Sequence, residues 1–438
     1  MFKFAVIKIW KMDYCIYNEQ TGDKAEVRLP ASKSISNRLL MIDALSGGGS
    51  VLYNLAECDD TVAMRDALRR YRNSDKRWTI DVDTGAAGTA TRFLTAFFAS
   101  QNGSDVMLDG SQRMRQRPIV ELTGVLFRLG ATITHVIPPG GDGSGCLPLH
   151  ILGKKLSSQG REIQIRGDIS SQYISALMMI GPYVTGGLSL VSPNGFISRP
   201  YIEMTASIMR QFGAEVETGG NFVRVAEGGY RKAEMTVESD WSAASYWYEI
   251  KALVPELEVR LKGLCKDSLQ GDSRVAEYFR NFGVTTRFDD GGVVLGYDKS
   301  LLSDDFQLDL SDCPDLAQTI VVTACLLGVK FRISGLRTLR IKETDRFLAL
   351  QTELDKLGYR LHAASGDRDA LQWDGAKGDY VACPQIATYK DHRMAMAFAP
   401  AAVRFPGLVI EDAGVVSKSY PGFWDDLRQA GFRMEERL

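Results

Sequence analysis

One short stretch near the start of the chain combines the residue types that bind small anions. Residues 29–38, LPASKSISNR, begin with a proline that ends a strand, and the apolar residues from Ile35 onward recur at helical spacing. Serines before such a pattern favour a helix N-terminus, whose free N–H groups and partial positive charge attract anions. Lys33 and Arg38 add two full charges there, and no acidic residue follows before Asp43. The stretch therefore predicts a phosphate or carboxylate site, with a capped surface helix as the open alternative.

Four further stretches place cations, hydroxyl groups or glycines near predicted helix starts. Residues 84–92 form a turn of small residues that lets a ligand approach backbone N–H groups closely. The others are three arginines without an intervening acid, two hydroxyls beside an amide, and three cations around two carboxylates, at residues 113–118, 167–172 and 340–346. Each alone could be a helix cap or a solvated cluster. Their repetition on helix starts favours one site for a small, multiply charged anion.

The helices that would position these stretches recur along the chain. One series ends in an apolar residue and a glycine, which is typical of a helix C-terminus because that position requires a positive φ. These glycines lie 70 to 83 residues apart, and they are Gly130, Gly213, Gly283, Gly358 and Gly431. The predicted helices before them start at Arg117, Arg199, Asp272, Thr344 and Ser419, and a weaker copy runs from Asp59 to Tyr71. Strand-like segments follow the glycines, for example at 131–134 and 359–361.

A second helix series is more apolar, and we expect its members to be buried. Its predicted starts are near Ser34, Gly88, Ser170, Asp240, Pro314 and Asp391. Six units of about 70 residues, each with two helices and several short strands, predict a repeated α/β architecture. Three units per lobe would give two lobes, with a boundary in the polar stretch 237–240.

Composition narrows the class of protein. A chain of 438 residues suits two domains of about 200 residues, and its net charge of −2 does not favour binding to nucleic acid or to anionic membranes. Seven scattered cysteines, none spaced C-x-x-C, indicate reduced thiols and argue against a zinc site. No apolar run is long enough for a membrane span, and the strand-like residues 1–10 contain no cleavable signal, so we expect a cytoplasmic location. The glycine-rich residues 138–145 match no phosphate-binding motif and predict a surface turn.

Taken in order, the motifs resemble those of the 5-enolpyruvylshikimate-3-phosphate synthases, a family of enolpyruvyl transferases. The resemblance covers nearly the whole chain. Its motifs are residues 29–38, 87–90 (AGTA), 117–119 (RPI), 170–172 (SSQ), 198–201 (SRPY), 342–346 (KETDR), 391–395 (DHRMA) and 416–421 (VSKSYP). It implies a fold of two lobes, each built from three βαβαββ units, with the active site in the cleft between them. Because both chain crossings lie at one hinge in the family, residues 1–30 plus 240–438 would form lobe 1 and residues 31–239 lobe 2.

The resemblance also implies a reaction. The enolpyruvyl group of phosphoenolpyruvate would move to the 5-hydroxyl of shikimate 3-phosphate by addition and elimination, with release of phosphate, in the biosynthesis of chorismate and the aromatic amino acids. It assigns delivery of a proton to the enol carbon to Glu343 and removal of the hydroxyl proton to Asp315, with Lys33 near both reacting centres. These two substrates are the expected partners of a monomer that needs no cofactor and no metal.

Matching by position extends the resemblance to substrate binding. The residues expected around shikimate 3-phosphate are Ser34 and Arg38 at its carboxylate, Ser170, Ser171, Ser198 and Lys342 at its phosphate, and Lys33 and Asp315 near its reacting hydroxyl. Those expected around phosphoenolpyruvate are Gly88, Arg117, Gln172 and Lys418 at its phosphate, and Arg346 and Arg393 at its carboxylate, which a planar guanidinium pairs well.

Two positions depart from the family pattern. Many relatives have asparagine where Ala86 stands and another near Thr338, and each lost amide removes a polar contact of about 0.5–1.5 kcal/mol. Gly88 is retained, which predicts normal room for phosphoenolpyruvate and for the inhibitor glyphosate.

Two other functions are alternatives. A UDP-N-acetylglucosamine enolpyruvyl transferase would share the fold, but its opening lysine precedes asparagine, whereas Lys33 precedes Ser34. A non-catalytic anion-binding protein would leave Asp315 and Glu343 unexplained, because acids inside a phosphate site weaken binding.

Overall fold

The computed structural model describes residues 12–18, 23–75, 77–137, 145–168 and 170–437. Two predicted segments lie outside the described residues: the strand-like residues 1–10, and the turn at 138–145 apart from Gly145. The α-helices of the described residues are α1 (Lys33–Leu45), α2 (Asp59–Asn73), α3 (Gly88–Ser100), α4 (Val120–Arg128), α5 (Ser171–Ile180), α6 (Arg199–Gln211), α7 (Trp241–Leu253), α8 (Val275–Tyr278), α9 (Ala317–Leu327), α10 (Arg346–Lys356), α11 (His392–Phe398) and α12 (Phe423–Gln429).

The strands are short and form five four-stranded sheets and one two-stranded sheet within the described residues. They are β1 (Asp13–Asn18), β2 (Lys24–Arg28), β3 (Val51–Tyr53), β4 (Ile80–Asp83), β5 (Asp105–Asp109), β6 (Thr132–His135), β7 (Leu149–Leu152), β8 (Glu162–Gln164), β9 (Leu188–Val191), β10 (Val216–Thr218), β11 (Phe222–Val225), β12 (Glu234–Thr236), β13 (Glu258–Lys262), β14 (Val284–Asp289), β15 (Gly292–Tyr297), β16 (Asp305–Asp309), β17 (Lys330–Ser334), β18 (His362–Ala364), β19 (Asp367–Trp373), β20 (Gln385–Ile386), β21 (Leu408–Ile410) and β22 (Phe432–Arg437).

Every four-stranded sheet repeats one arrangement, in which a parallel pair is followed by two antiparallel strands. The strand orders are β4-β5-β7-β6, β8-β9-β11-β10, β2-β13-β15-β14, β16-β17-β19-β18 and β20-β21-β1-β22. Helices α3, α5, α9 and α11 connect four of the parallel pairs, as a short parallel connection requires, whereas residues 29–257 separate β2 from β13. The predicted α/β class with six repeated units is confirmed, and the two-stranded sheet β12-β3 belongs to an abbreviated first unit.

Helix limits follow the predicted chemistry closely. Ser32 caps α1 by accepting from the backbone N–H of Ile35, and Ser170, Asp240 and Asp391 cap α5, α7 and α11 in the same way. The five predicted C-terminal glycines all have positive φ angles, between 80° and 97°. The apolar series is buried as expected, since every residue of α3 except its last is buried.

Some predicted limits are wrong for local reasons. The helix α4 begins three residues after Arg117, because Arg117 precedes a proline and is extended at φ −92° and ψ 118°. The helix predicted from Asp272 to Phe282 is instead a single α-helical turn, α8, between two 3-10 segments. Its buried residues are spaced by three and four, which both kinds of helix satisfy. The strand predicted at 359–361 begins only at His362, and α12 begins at Phe423, after Pro421.

The buried apolar side chains form two hydrophobic cores. The first core contains residues from Ala31 to Val237, and the second contains residues from Tyr14 to Leu29 and from Trp241 to Phe432. The chain passes between them twice, at adjacent places: Ser32 N donates to Glu238 O (2.9 Å), and Asp240 N donates to Pro30 O (2.8 Å). The division into lobes at the predicted boundaries stays a prediction.

A strand at a sheet edge lies beside each of the two crossings. β2 pairs in parallel with β13, from Lys24 opposite Glu258 to Arg28 opposite Lys262. β12 pairs in parallel with β3, in the first unit. Each core therefore includes an edge strand from a chain segment that continues into the other core.

Candidate functional site

A cleft receives residues from the segments of both cores. A smaller adjoining cavity shares Lys33, Arg117 and Asp315 with it and reaches Glu343. The predicted site residues that line these two spaces are Lys33, Ser34, Arg38, Arg117, Ser170, Ser171, Gln172, Ser198, Asp315, Lys342, Glu343, Arg346 and Arg393. The remaining two are in contact with this group. Lys418 Nζ lies 3.0 Å from Glu343 Oε1, and a Cβ on Gly88 would lie 2.8 Å from Arg117 Nη1.

The helices of the apolar series direct their N-termini to this cleft. α1, α3, α5, α7 and α11 each contribute lining residues from their first turns, and Asp315 lies in the 3-10 turn that leads into α9. Unpaired N–H groups and the positive ends of helix dipoles therefore converge on one space. The side chains along the cleft add to this, with six cations and two carboxylates. Such a lining attracts multiply charged anions.

Asp315 is surrounded by three cations. Its Oδ1 lies 3.0 Å from Arg346 Nη1 and 3.4 Å from Lys342 Nζ, and its Oδ2 lies 2.9 Å from Arg393 Nη2. Burial favours the neutral acid, but the three cations outweigh it and hold the pKa of Asp315 well below its usual range. The hydroxyl of Tyr201 donates to the same Oδ2 at 3.4 Å. Asp315 is therefore a carboxylate at neutral pH.

Glu343 is held by a partly different set of cations. Its Oε1 lies 3.0 Å from Lys418 Nζ and 3.7 Å from Arg117 Nη1, and its Oε2 lies 2.9 Å from Arg346 Nη2. Burial opposes ionisation here too, but the cations hold the pKa of Glu343 well below its usual range. Among the described residues, Arg346 is the cation that pairs with both acids.

Arg346 is buried, and its guanidinium pairs with three carboxylates. Besides Asp315 and Glu343, it pairs with Asp391, whose Oδ2 lies 2.6 Å from Arg346 Nε. Asp391 in turn caps α11 by accepting from Arg393 N at 3.0 Å. The carboxylate of Asp391 thus fixes two predicted ligand-binding arginines at once.

Lys33 begins α1 at the edge of both spaces. Burial alone would lower the pKa of the Lys33 ammonium, but Asp60 Oδ2 at 4.0 Å contributes to an overall rise. Lys342 differs, because burial lowers the pKa of its ammonium despite the neighbouring Asp315. Lys33 therefore stays charged, and Lys342 is the cation closer to losing its proton.

Arg38 and Arg92 are buried arginines that hydrogen-bond to hydroxyls and backbone carbonyls. Arg38 donates to Thr205 Oγ1 (2.7 Å), Ser175 Oγ (3.0 Å) and Ser34 O (2.8 Å). Arg92 donates to Gly88 O (2.9 Å), and its Nε has no hydrogen-bond partner among the described residues. Burial lowers the pKa of each guanidinium to about 10. Both remain cations at neutral pH and can pair with an anion that enters the cleft.

The polar residues of the cleft are ordered by local contacts. Ser170 Oγ accepts from Gln172 N (3.3 Å), and Gln172 Nε2 donates to Thr89 Oγ1 (3.1 Å). Ser198 adopts the left-handed conformation at φ +52°, and its N–H donates to Ser311 O (3.1 Å). That contact links the start of α6 to the segment that carries Asp315.

Several residues of the site were not singled out from the sequence. Arg92 could have been predicted as a site residue, because it ends the small-residue stretch 84–92. Asp60, Asp272 and His392 lie in predicted helices or motifs, but no role could be assigned to them, because their proximity to the cations depends on how distant helices pack. Both ring nitrogens of His392 lack a hydrogen-bond partner among the described residues, and burial, followed by the neighbouring cations, lowers the pKa of this ring well below its usual range.

Over the described ranges, histidine, cysteine and acidic side chains form no group able to hold a metal ion. Among the helices of the same residues, none has the length and apolar character needed to cross a membrane.

Sequence comparison identifies relatives over most of the chain. The family model for EPSP synthase (3-phosphoshikimate 1-carboxyvinyltransferase) matches residues 19–427. A 3-phosphoshikimate 1-carboxyvinyltransferase of Bacteroides fragilis (strain YCH46) is 49% identical over 410 residues, covering 93% of this chain and 96% of the relative. The protein of that name from Burkholderia ambifaria is 34% identical over 446 residues, covering 94% and 98%.

Solved structures share the fold. An EPSP synthase from Acinetobacter baumannii superposes with a TM-score of 0.73 at 22% identity, covering 98% of this chain and all of that one. The enolpyruvyl transferase NikO from Streptomyces tendae gives a TM-score of 0.69 at 16% identity, covering 98% and 99%. The family model and the relatives of higher identity confirm what the motifs indicate: the chain belongs to the EPSP synthase family.

Proposed function

We propose that this protein transfers the enolpyruvyl group of phosphoenolpyruvate to the 5-hydroxyl of shikimate 3-phosphate and releases phosphate. The observation that carries the proposal is the pair of acids Asp315 and Glu343, each held ionised by cations where the cleft with its six cations meets the adjoining cavity. The cations suit two phosphorylated acids, and the carboxylates supply the proton transfers that addition and elimination require. The relatives named 3-phosphoshikimate 1-carboxyvinyltransferase support the same reaction.

The two cores are proposed to act as the two lobes, 31–239 and 1–30 plus 240–438, with the substrates between them. Most residues assigned to shikimate 3-phosphate belong to the 31–239 segment: Ser34, Arg38, Ser170, Ser171 and Ser198. The proposed phosphoenolpyruvate ligands come from both segments, with Gly88, Arg117 and Gln172 on one side and Arg346, Arg393 and Lys418 on the other. Phosphoenolpyruvate would therefore bridge the segments, and its binding energy would favour closure.

Each acid is proposed to move one proton. Asp315 takes the proton of the attacking hydroxyl, and Glu343 gives one to the methylene carbon of phosphoenolpyruvate. Elimination then breaks the C–O bond to phosphate, while Glu343 takes back a methyl proton and Asp315 gives its proton to the departing phosphate. Lys33, which remains charged, faces both reacting centres and would stabilise the negative charge of the intermediate. The low pKa of Glu343 depends partly on Lys418 and Arg117. A bound phosphate would engage those cations and so raise the proton affinity of Glu343.

Arg346, a proposed ligand of the phosphoenolpyruvate carboxylate, is already paired with acids of the protein. Its guanidinium already meets Asp315, Glu343 and Asp391. To grip the substrate carboxylate, Arg346 must share or release one of these acids. Arg393 donates 2.9 Å to Asp315 and 3.4 Å to Ser242, so its charge is less fully shared.

Phosphate release tests the reaction directly. We expect rapid release with phosphoenolpyruvate plus shikimate 3-phosphate, and none with phosphoenolpyruvate plus UDP-N-acetylglucosamine. Failure of the first pair, or release with the second, would reject the proposal. A cytoplasmic location and a monomeric state remain predictions, which fractionation and sedimentation can check.

A further inference from the structure

An exposed arginine outside the proposed substrate ligands contacts the segment that carries Glu343. Arg113 Nε donates to the backbone carbonyl of Glu343 at 2.9 Å, and its Nη2 donates to that of Lys342 at 3.2 Å. The next residue, Met114, is buried in the first core. Leu339 belongs to the second core, as does Phe347 on the other side of the accepting segment. The two hydrogen bonds therefore cross from one core to the other.

The accepting carbonyls lie where the backbone has no regular partner. Lys342 and Glu343 follow the 3-10 turn Arg337–Ile341 and precede α10, in a bend without helical or strand structure. Buried or half-buried carbonyls need a donor from elsewhere. The fork of an arginine can reach two adjacent carbonyls, which a lysine ammonium does with poorer geometry.

The segment 113–117 contacts Glu343 through both its backbone and its side chain. Arg113 holds its backbone, while Arg117, one turn further on, faces its carboxylate at 3.7 Å. Gln116 Oε1 accepts from Arg113 Nη1 at 3.4 Å, which orients the guanidinium. Surface hydrogen bonds of this kind contribute little to stability. These hydrogen bonds would instead affect the position of Glu343, since a small misplacement of a reacting group lowers the reaction rate strongly.

We propose that Arg113 is a positioning residue that holds the backbone of Lys342 and Glu343 against the first core while the substrates react. It contacts no reacting atom and acts through Glu343. The inference rests on the proposed function for its kinetic consequence, whereas the contact itself can be tested without turnover.

A double-mutant cycle separates positioning from a general loss of structure. We expect Arg113→Ala to lower kcat of phosphate release about tenfold, the loss typical of one or two hydrogen bonds. Binding of shikimate 3-phosphate, measured by calorimetry, should change little, because of its proposed ligands only Lys342 lies in the bend that Arg113 holds. In a Glu343→Gln background the same change should have little further effect, since coupled residues are not additive. Equal losses in both backgrounds, or none in the parent, would overturn the proposal.

Two further variants complete the test. Arg115→Ala is the matched control, because Arg115 lies in the same turn but pairs with Asp109 in its own core, and it should keep parental kcat. Arg113→Lys should recover only part of the loss. Hydrogen–deuterium exchange of the peptide over 340–346 should rise in Arg113→Ala and not in Arg115→Ala. An inactive parent would reject the proposed function, whereas unchanged exchange in Arg113→Ala would reject this contact.

Discussion

At the scale of single residues, the site gives its two acids different neighbours. Arg393 and Lys342 face Asp315, whereas Lys418 and Arg117 face Glu343. The cations around Glu343 include proposed ligands of a substrate phosphate, so the proton affinity of Glu343 should change with occupancy. The cations around Asp315 are proposed substrate ligands too, but Asp315 also accepts a hydrogen bond from the Tyr201 hydroxyl, which favours its ionised form. One low-dielectric cleft can thereby hold an acid and a base at the same pH.

Removing either acid tests these roles. We expect Glu343→Gln and Asp315→Ala each to lower turnover at least about a hundredfold, because general acid–base catalysis typically contributes 10²–10⁴-fold. Steady-state phosphate release measures the loss, and calorimetry should show that substrates still bind. Glu57→Gln is the control, since Glu57 is an exposed acid paired with Arg65. A variant that turned over at the parental rate would lose its assigned role.

A third acid near the site predicts a pH effect. Burial, and then the neighbouring Asp315, raise the pKa of Asp272 to about 6. Ser242 donates to Asp272 and accepts from Arg393 at 3.4 Å, so Asp272 is linked to a proposed ligand of phosphoenolpyruvate. Because the pKa is raised, the negative charge appears only as pH rises through about 6, and it then draws on Arg393.

The measurement compares KM for phosphoenolpyruvate in the parent and in Asp272→Asn. We expect the parent-to-variant ratio to rise between about pH 5 and pH 8, while ionisation of the substrate cancels in the ratio. Asp267→Asn, at an exposed position five residues away, should give a flat ratio. A flat ratio for Asp272→Asn as well would show that this acid does not act on Arg393.

At the scale of elements, helix ends were more predictable than helix type. Polar caps such as Ser32 and Asp240 and glycines such as Gly213 act within a few residues of chain, so the sequence reveals them. The stretch from Asp272 to Phe282 was misassigned, because its apolar spacing fits both α and 3-10 turns. The partners of Lys33 could not be predicted either. Asp60 reaches it only through the packing of α1 on α2.

One glycine inside α4, Gly124, and one just after it, Gly130, provide a matched test of stability. Gly130 follows α4 at φ +97°, and a Cβ there would meet no atom within 4 Å, so Gly130→Ala measures backbone strain alone. We expect a loss of about 1 kcal/mol. Gly124 lies inside α4 with equally open surroundings, and Gly124→Ala should stabilise by about 0.5–1 kcal/mol. Urea unfolding measures both changes. Equal signs would contradict the assigned helix end.

At the scale of the whole molecule, an excess of positive charge faces the cleft from both cores. Without an anion these cations repel one another across the gap, and a phosphorylated ligand relieves that repulsion. The chain as a whole carries a net charge of −2, so the excess is local. The net charge of the chain therefore does not predict the ligand, whereas the clustered motifs predict a small, multiply charged anion.

This charge excess predicts a salt-dependent stabilisation. Shikimate 3-phosphate at about 100 times its Kd should stabilise the folded protein by about 2.7 kcal/mol. Shikimate at the same concentration should give a smaller rise in melting temperature, because it lacks the phosphate. The difference should shrink at high salt, where the Debye length falls to about 3 Å at 1 M. Equal shifts for the two ligands would argue against the proposed phosphate contacts.

The pairing of β2 with the distant strand β13 has a consequence for biosynthesis. β2 leaves the ribosome early, yet its partner β13 is made only after the whole of the first core. The first core can complete its sheets once β12 has emerged, while the backbone N–H and C=O groups of β2 still lack a partner strand. β1 waits longer still, because its partners β21 and β22 are made last. The nascent chain must therefore shield two unpaired strands for much of translation, and chaperone contacts should concentrate there.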